Sequence, residues 1–116
     1  MTTALRLDWT MPDTATGRLA VVGELNFQSA GRLIETVTEE LARHPELREL
    51  RLDCTGLDHC DSSGLSVLLM AQRRTQAAGV TLYLDNRSST LERMLELTGT
   101  VDYLAGDAAD DRSQSS

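Results

Sequence analysis

Five consecutive residues, Asp61-Ser62-Ser63-Gly64-Leu65, put a carboxylate and two hydroxyls directly ahead of an apolar run holding Leu65, Val67, Leu68, Leu69, Met70 and Ala71. The run predicts a helix from about Ser63 to Ala78 that packs on several sides, with only its first turn reaching water. Backbone N–H groups at a helix start lack partners and carry a partial positive charge. An oxygen there caps the helix, and a phosphate on that oxygen is tolerated. Ser63 is thereby a candidate phosphorylation site, while Asp61 or Ser62 also reads as an ordinary cap. Gly64 fits a simple cap poorly, because Gly in a helix costs about 1 kcal/mol relative to Ala. Its presence predicts that something, a protein surface or a ligand, comes close to the backbone there.

Other chemistries are poorly served by the same stretch. A cysteine-phosphatase or rhodanese-type loop after Cys60 needs an Arg six positions on, and that position is Ser66. A serine-hydrolase elbow needs Gly two residues before the nucleophile, where Ser63 has Asp61. Asp58, His59 and Ser63 have triad composition, but neighbours within one short loop seldom reach triad geometry. Cys54, His59, Cys60 and Asp61 lack a paired knuckle or second ligand cluster for zinc. No Walker loop or dinucleotide fingerprint occurs. The expectation is a binding protein without catalysis, cofactor or metal.

Charge narrows the partners. The net charge is -7 with a pI near 4.7, and without Asp107, Asp110, Asp111 and Arg112 of the last dozen residues the body is still about -5. Nucleic acid and anionic membrane surfaces are disfavoured as partners on this ground. No apolar run approaches the roughly 18 residues that a membrane span needs, and the N-terminus lacks signal-peptide order. These features predict a cytoplasmic protein whose two cysteines, Cys54 and Cys60, are buried or half-buried thiols.

The elements that must position the Asp61–Leu65 stretch follow from periodicity. Leu5, Leu7 and Trp9 alternate with Arg6 and Asp8 as in a strand with one buried face, and Met11 to Gly17 reads as the following turn. Arg18 to Gly23 is a second strand, continuously apolar at 19–22 as if covered on both faces. Ala30, Leu33, Ile34, Val37 and Leu41 repeat at helical spacing up to His44, before Pro45. Leu50–Cys54 and Val80–Leu84 are strands on either side of the apolar helix, which implies parallel pairing and right-handed crossovers. The loop Thr55 to Ser62 and the segment Glu24 to Gln28 leave the carboxyl ends of strands, where ligands gather, so Asn26 is expected beside Asp61 and Ser63. A third helix starts within 86–89 and stops at Gly99. Val101 to Leu104 is a short strand or helical turn, and 105–116 reads as a disordered acidic tail.

Leu52-Asp53, then Asp61-Ser62-Ser63-Gly64-Leu65 and Leu68-Leu69, resembles the signature of STAS domains, specifically the stand-alone anti-sigma factor antagonists of bacteria. Gly23-Glu24-Leu25 and Leu97-Thr98-Gly99 fit the same pattern, and the resemblance runs from about residue 5 to 104. It implies an α/β fold, with residues 1–104 as one STAS-like domain whose mixed four- to five-stranded sheet carries helices mainly on one face. It also implies partner switching. The unmodified protein would bind an anti-sigma factor serine kinase and release a sigma factor, phosphorylation at Ser63 would block binding, and a PP2C-type serine phosphatase would reverse it. Asp61, Ser62, Ser63, Gly64, Leu65, Asn26 and Glu24 would form the partner-binding set. Two positions depart from the family pattern: Asn26 stands where Asp is frequent, and Ser66 where Gly is frequent. A second reading is a STAS-like scaffold or small-ligand-binding subunit of a transporter or stress-sensing complex.

Overall fold

In a computed structural model that describes residues 5–98, the chain opens with a hairpin of β1 (Arg6–Asp13) and β2 (Thr16–Leu25). Only Thr14 and Ala15 make the turn, closed by Ala15 N–H donating to Asp13 Oδ1 at 2.9 Å. The expected turn over 11–17 is therefore mostly strand. Pro12 is tolerated because β1 is an edge strand whose register shifts between Thr10 and Asp13. Gly17 lies beneath the Trp9 indole, which comes to 2.1 Å from where a Cβ would stand.

The sheet continues with β3 (Glu49–Asp53), parallel to the first half of β2, and β5 (Thr81–Asp85), parallel to β3. A further strand, β4 (Leu57–Cys60), pairs in parallel with the last residues of β2, placing Glu24 opposite His59 and Leu25 opposite Cys60. The predicted loop over 55–62 is thus half strand. The reason is long-range: β2 runs past the end of its pairing with β3, and its free backbone groups recruit 57–60, beginning with Gly23 N–H to Gly56 O at 2.9 Å.

Three helices, α1 (Ala30–Arg43), α2 (Ser62–Ala77) and α3 (Ser89–Thr98), cover one face of this five-stranded mixed sheet. Leu19, Val21 and Leu25 of β2, Leu50 and Leu52 of β3, and Leu82 and Leu84 of β5 share one core with Leu33, Val37, Leu65, Leu68, Leu91 and Leu95. Each such side chain contributes about 1.5–3 kcal/mol by leaving water. The other face is open and polar, so only one side of β2 is sealed. Arg18 reaches Asp53 across it at 3.0 Å, and Arg51 reaches Asp85 at 3.0 Å while stacking on Tyr83.

α2 is less enclosed than its composition predicts: Ser62, Ser66, Met70 and Arg73 form an exposed stripe that continues beyond the first turn. Among the described residues no helix is long and apolar enough to cross a membrane. The expected stop at Gly99, the segment 101–104 and the acidic tail 105–116 lie outside the described residues.

Candidate functional site

The carboxyl end of β2 and the start of α2 meet at one pole of the molecule. Asp61 is the helix cap: its backbone is extended, and its Oδ1 accepts from Gly64 N–H at 3.0 Å. Such a cap is worth about 1 kcal/mol, and it resolves the choice between Asp61 and Ser62. Asp61 N–H in turn donates to Leu25 O at 3.2 Å, which ties the cap to β2. With Oδ1 on the Gly64 amide, Asp61 acts as a cap and makes no hydrogen bond to the Ser63 hydroxyl.

Gly64 has an internal reason. A Cβ there would meet Leu25 O at 2.5 Å and Cys60 Sγ at 2.7 Å. The close visitor expected from the sequence is thus the chain's own second strand, and no outside surface is needed to explain the glycine. Gly64 and Leu65 are both buried, so they would shape a docking face by placing the turn above them, without touching a visitor. Ser62 is exposed, Ser63 is half-buried, and Ser66 is exposed one turn on. Among the described residues none hydrogen-bonds the Ser63 hydroxyl.

The second wall is the turn from Glu24 to Ser29. Asn26 Oδ1 accepts from Gln28 N–H at 2.9 Å and Ser29 N–H at 3.2 Å, Ser29 Oγ accepts from Asn26 N–H at 2.9 Å, and the Ser29 hydroxyl donates to Glu24 O at 2.8 Å. Asn26 Nδ2 points at Glu24 Oε1, 3.5 Å away. An Asp at this position could keep the accepting bonds but would set a second carboxylate against Glu24. Asn26 is therefore a turn-builder here, one residue on from Leu25, whose carbonyl accepts the Asp61 N–H.

Sequence reasoning missed Phe27, which tops this turn at 82% exposed. Its signal is the lone Phe of the chain sitting outside any helical or strand period.

The remaining candidates are structural. Asp53 accepts from Thr55 Oγ1 at 2.6 Å, Thr55 N–H at 3.1 Å, Asn86 Nδ2 at 3.0 Å and Arg18 Nη2 at 3.0 Å. The Thr55 and Asn86 hydrogen bonds, followed by that of Arg18, hold its carboxyl well below the usual range. It secures the loop after β3. Burial pushes the Cys54 thiol up to about 12 and the Cys60 thiol up to about 11, with the Asp61 charge adding to the latter. Both stay protonated and are poor nucleophiles or ligands. Asp58 and His59 are exposed, and neither is hydrogen-bonded to Ser63. Among the described residues no three His, Cys, Asp or Glu are grouped to hold a metal.

The hollow between β4 and α3, lined by His59, Cys60, Ser88 and Leu91, has room of about 20 Å³, enough for one water. A wider, open hollow of about 330 Å³ lies by Met11, Asp13, His44 and Glu46, at the other end of α1 from this pole.

A family model described as "Mlab, STAS domain" matches residues 12–105. The fold is similar to that of the anti-sigma factor antagonist SpoIIAA in its unphosphorylated form, with TM-score 0.73, 18% identity, and coverage of 96% of this chain and 98% of that one. An anti-sigma factor antagonist from Mycobacterium paratuberculosis gives TM-score 0.76 at 18% identity, over 97% of this chain and 92% of the other. A sulfate transporter family protein from Wolinella succinogenes gives 0.68 at 20% identity, over 83% and 75%. At such identities the likeness is one of fold. No curated protein sequence matches the chain.

Proposed function

The chain belongs to the STAS domain family, and from that premise we propose that it is an anti-sigma factor antagonist that acts by partner switching and performs no catalysis. One observation carries the reading: Ser63, a partly buried residue, sits in the first turn of α2 with a hydroxyl that no described residue engages. An anti-sigma factor serine kinase binds the unmodified face formed by Asp61, Ser62, Ser63, Asn26 and Glu24, with Gly64 and Leu65 beneath, and the sigma factor is released. The kinase then phosphorylates Ser63, and a PP2C-type phosphatase resets it. The cytoplasm is the compartment this cycle requires. The names of the similar SpoIIAA and mycobacterial structures support the role.

The switch is electrostatic and local. A phosphate adds about -1.5 to -2 charge. At about 5 Å from a partner carboxylate, with an effective dielectric of about 20, each unit costs roughly 3 kcal/mol before salt screening. Tenfold in affinity takes about 1.4 kcal/mol, so a hundredfold switch is within reach. Nothing in the fold has to melt, because an anion at a helix start favours the helix.

The test is incubation of the purified chain with ATP and each candidate kinase of its own cell, read by mass spectrometry. Stoichiometric phosphate on Ser63, and none on Ser62 or Ser66, is expected. Ser63→Ala should bind the kinase constitutively and Ser63→Glu at least about a hundredfold more weakly. Wild-type affinity in Ser63→Glu sinks the switch.

A second reading is a STAS-like scaffold or ligand-binding subunit of a transporter or stress-sensing complex. It draws on the likeness to the Wolinella transporter-family protein, and absence of phosphate with every kinase would favour it.

A further inference from the structure

Phe27 is the only Phe of the chain, and at 82% exposed it lies entirely outside the core. The turn that bears it is not slack. Asn26 and Ser29 lock it with four short hydrogen bonds, two into the Asn26 carboxamide oxygen and two at the Ser29 hydroxyl. The backbone that carries the ring is thus fixed, so docking has only the rotamers of the ring left to order. Its flank is clear as well: Gly31, one turn along, has open space over its backbone. Leu25, the residue that leads into the turn, accepts the Asp61 amide at 3.2 Å, so ring and Ser63 share one pole.

The charge of that pole is predominantly acidic. Segments 24–31 and 57–72 carry Glu24, Asp58 and Asp61 and no Arg or Lys. Arg32, the next base along, has its guanidinium on Leu5 O at 2.6 Å. An aromatic anchor carried on the same turn as Glu24, at an acidic pole, calls for an apolar cup with a basic border on that side. Aromatic side chains in such central positions carry a large share of binding energy, while rim charges set the rate of approach.

We infer that Phe27 is the apolar anchor by which the unmodified protein docks, and that the occupant of this face is a protein whose ring-sized apolar cup has an Arg or Lys border on the side of Glu24, while the carboxylate that repels phosphorylated Ser63 lies on the opposite side of the cup. The inference rests on the antagonist reading, which makes that protein the cognate kinase. Ser63 then decides whether docking is allowed, and Phe27 decides with which kinase.

The experiment is calorimetric and stopped-flow titration of the full chain with each purified candidate kinase, for wild type, Phe27→Ala, Phe27→Tyr and the neighbouring control Gln28→Ala. Phe27→Ala should lose at least about thirtyfold in affinity with an unchanged melting temperature. Phe27→Tyr should recover most of the loss, and Gln28→Ala should stay within about threefold, the usual size of a peripheral effect. Association should slow as salt rises. Wild-type affinity in Phe27→Ala overturns the anchor and leaves the antagonist reading intact. A salt-insensitive rate overturns the basic border. No kinase binding to wild type or Ser63→Ala defeats the antagonist reading, and the anchor with it. Self-association of wild type that Phe27→Ala abolishes overturns the proposal in favour of a second copy as the occupant.

Discussion

Gly64 shows how a single missing methyl group sets the geometry of the phosphorylation candidate next to it. Leu25 O and Cys60 Sγ stand 2.5 and 2.7 Å from its absent Cβ. The first is a backbone atom in a paired strand and cannot swing aside. Gly64→Ala should therefore push α2 away from β2 at an overpacking cost of about 1–3 kcal/mol, which outweighs the at most about 1 kcal/mol that helix propensity alone would return. A urea titration checks it, and a neutral or stabilising result would show that the pole is looser than the contacts imply. Ser63 differs in kind, since the residue is only partly buried and its hydroxyl is unengaged among the described residues. Its replacement by Ala should move stability by less than about 0.5 kcal/mol.

At the scale of elements, the strand ends do the positioning. Asp53 closes β3 by gathering Thr55, Asn86 and Arg18, and so pins the loop that leads into β4 to the loop that follows β5. Its carboxyl is held below the usual range by those hydrogen bonds. A group depressed in the folded state contributes stability that is present above its unfolded pKa and lost as pH falls toward its folded one. Wild type should therefore exceed Asp53→Ala in urea midpoint at neutral pH, with the gap closing as pH falls below about 4, the unfolded carboxylate range. A gap that persists unchanged to the lowest pH would assign the loss to packing. The anchor turn over 24–29 is the equivalent device at the end of β2: its hydrogen bonds serve display of Phe27, and the affinity titration of Phe27→Ala tests that display directly.

For the whole molecule the central expectation is that a negative charge changes partners without changing the fold. Ser63 lies in the first turn of α2, whose cap Asp61 is already acidic. A carboxylate in that turn interacts favourably with the helix start by about 0.3–1 kcal/mol, offset in part by repulsion from Asp61. Ser63→Glu should thus keep the wild-type melting temperature to within a few degrees while losing the kinase, as read by thermal unfolding beside the binding assay. A cooperative loss of structure in Ser63→Glu would mean that the modification acts by unfolding α2. The open polar sheet face with Arg18–Asp53 and Arg51–Asp85 lies apart from this pole and is already internally paired.

Local pattern was enough for much of this. The 3.6-residue repeat of Leu33, Ile34, Val37 and Leu41 and the apolar run after Ser63 placed α1 and α2 to within a residue or so, and alternation placed β3 and β5, because those signals reside in neighbours along the chain. The Asp-Ser-Ser-Gly-Leu stretch likewise disclosed its family and its candidate serine. Only the tertiary structure decided the rest. β4 has no alternating pattern of its own and exists because β2 offers it a free edge, and Gly64 is glycine because a strand forty residues upstream in sequence presses on it. Asp61, not Ser62, became the cap through backbone geometry that no spacing encodes, and Phe27 proved to be outside because no described element of the core covers its turn. Each of these depends on contacts between segments distant in sequence, and periodicity carries no record of them.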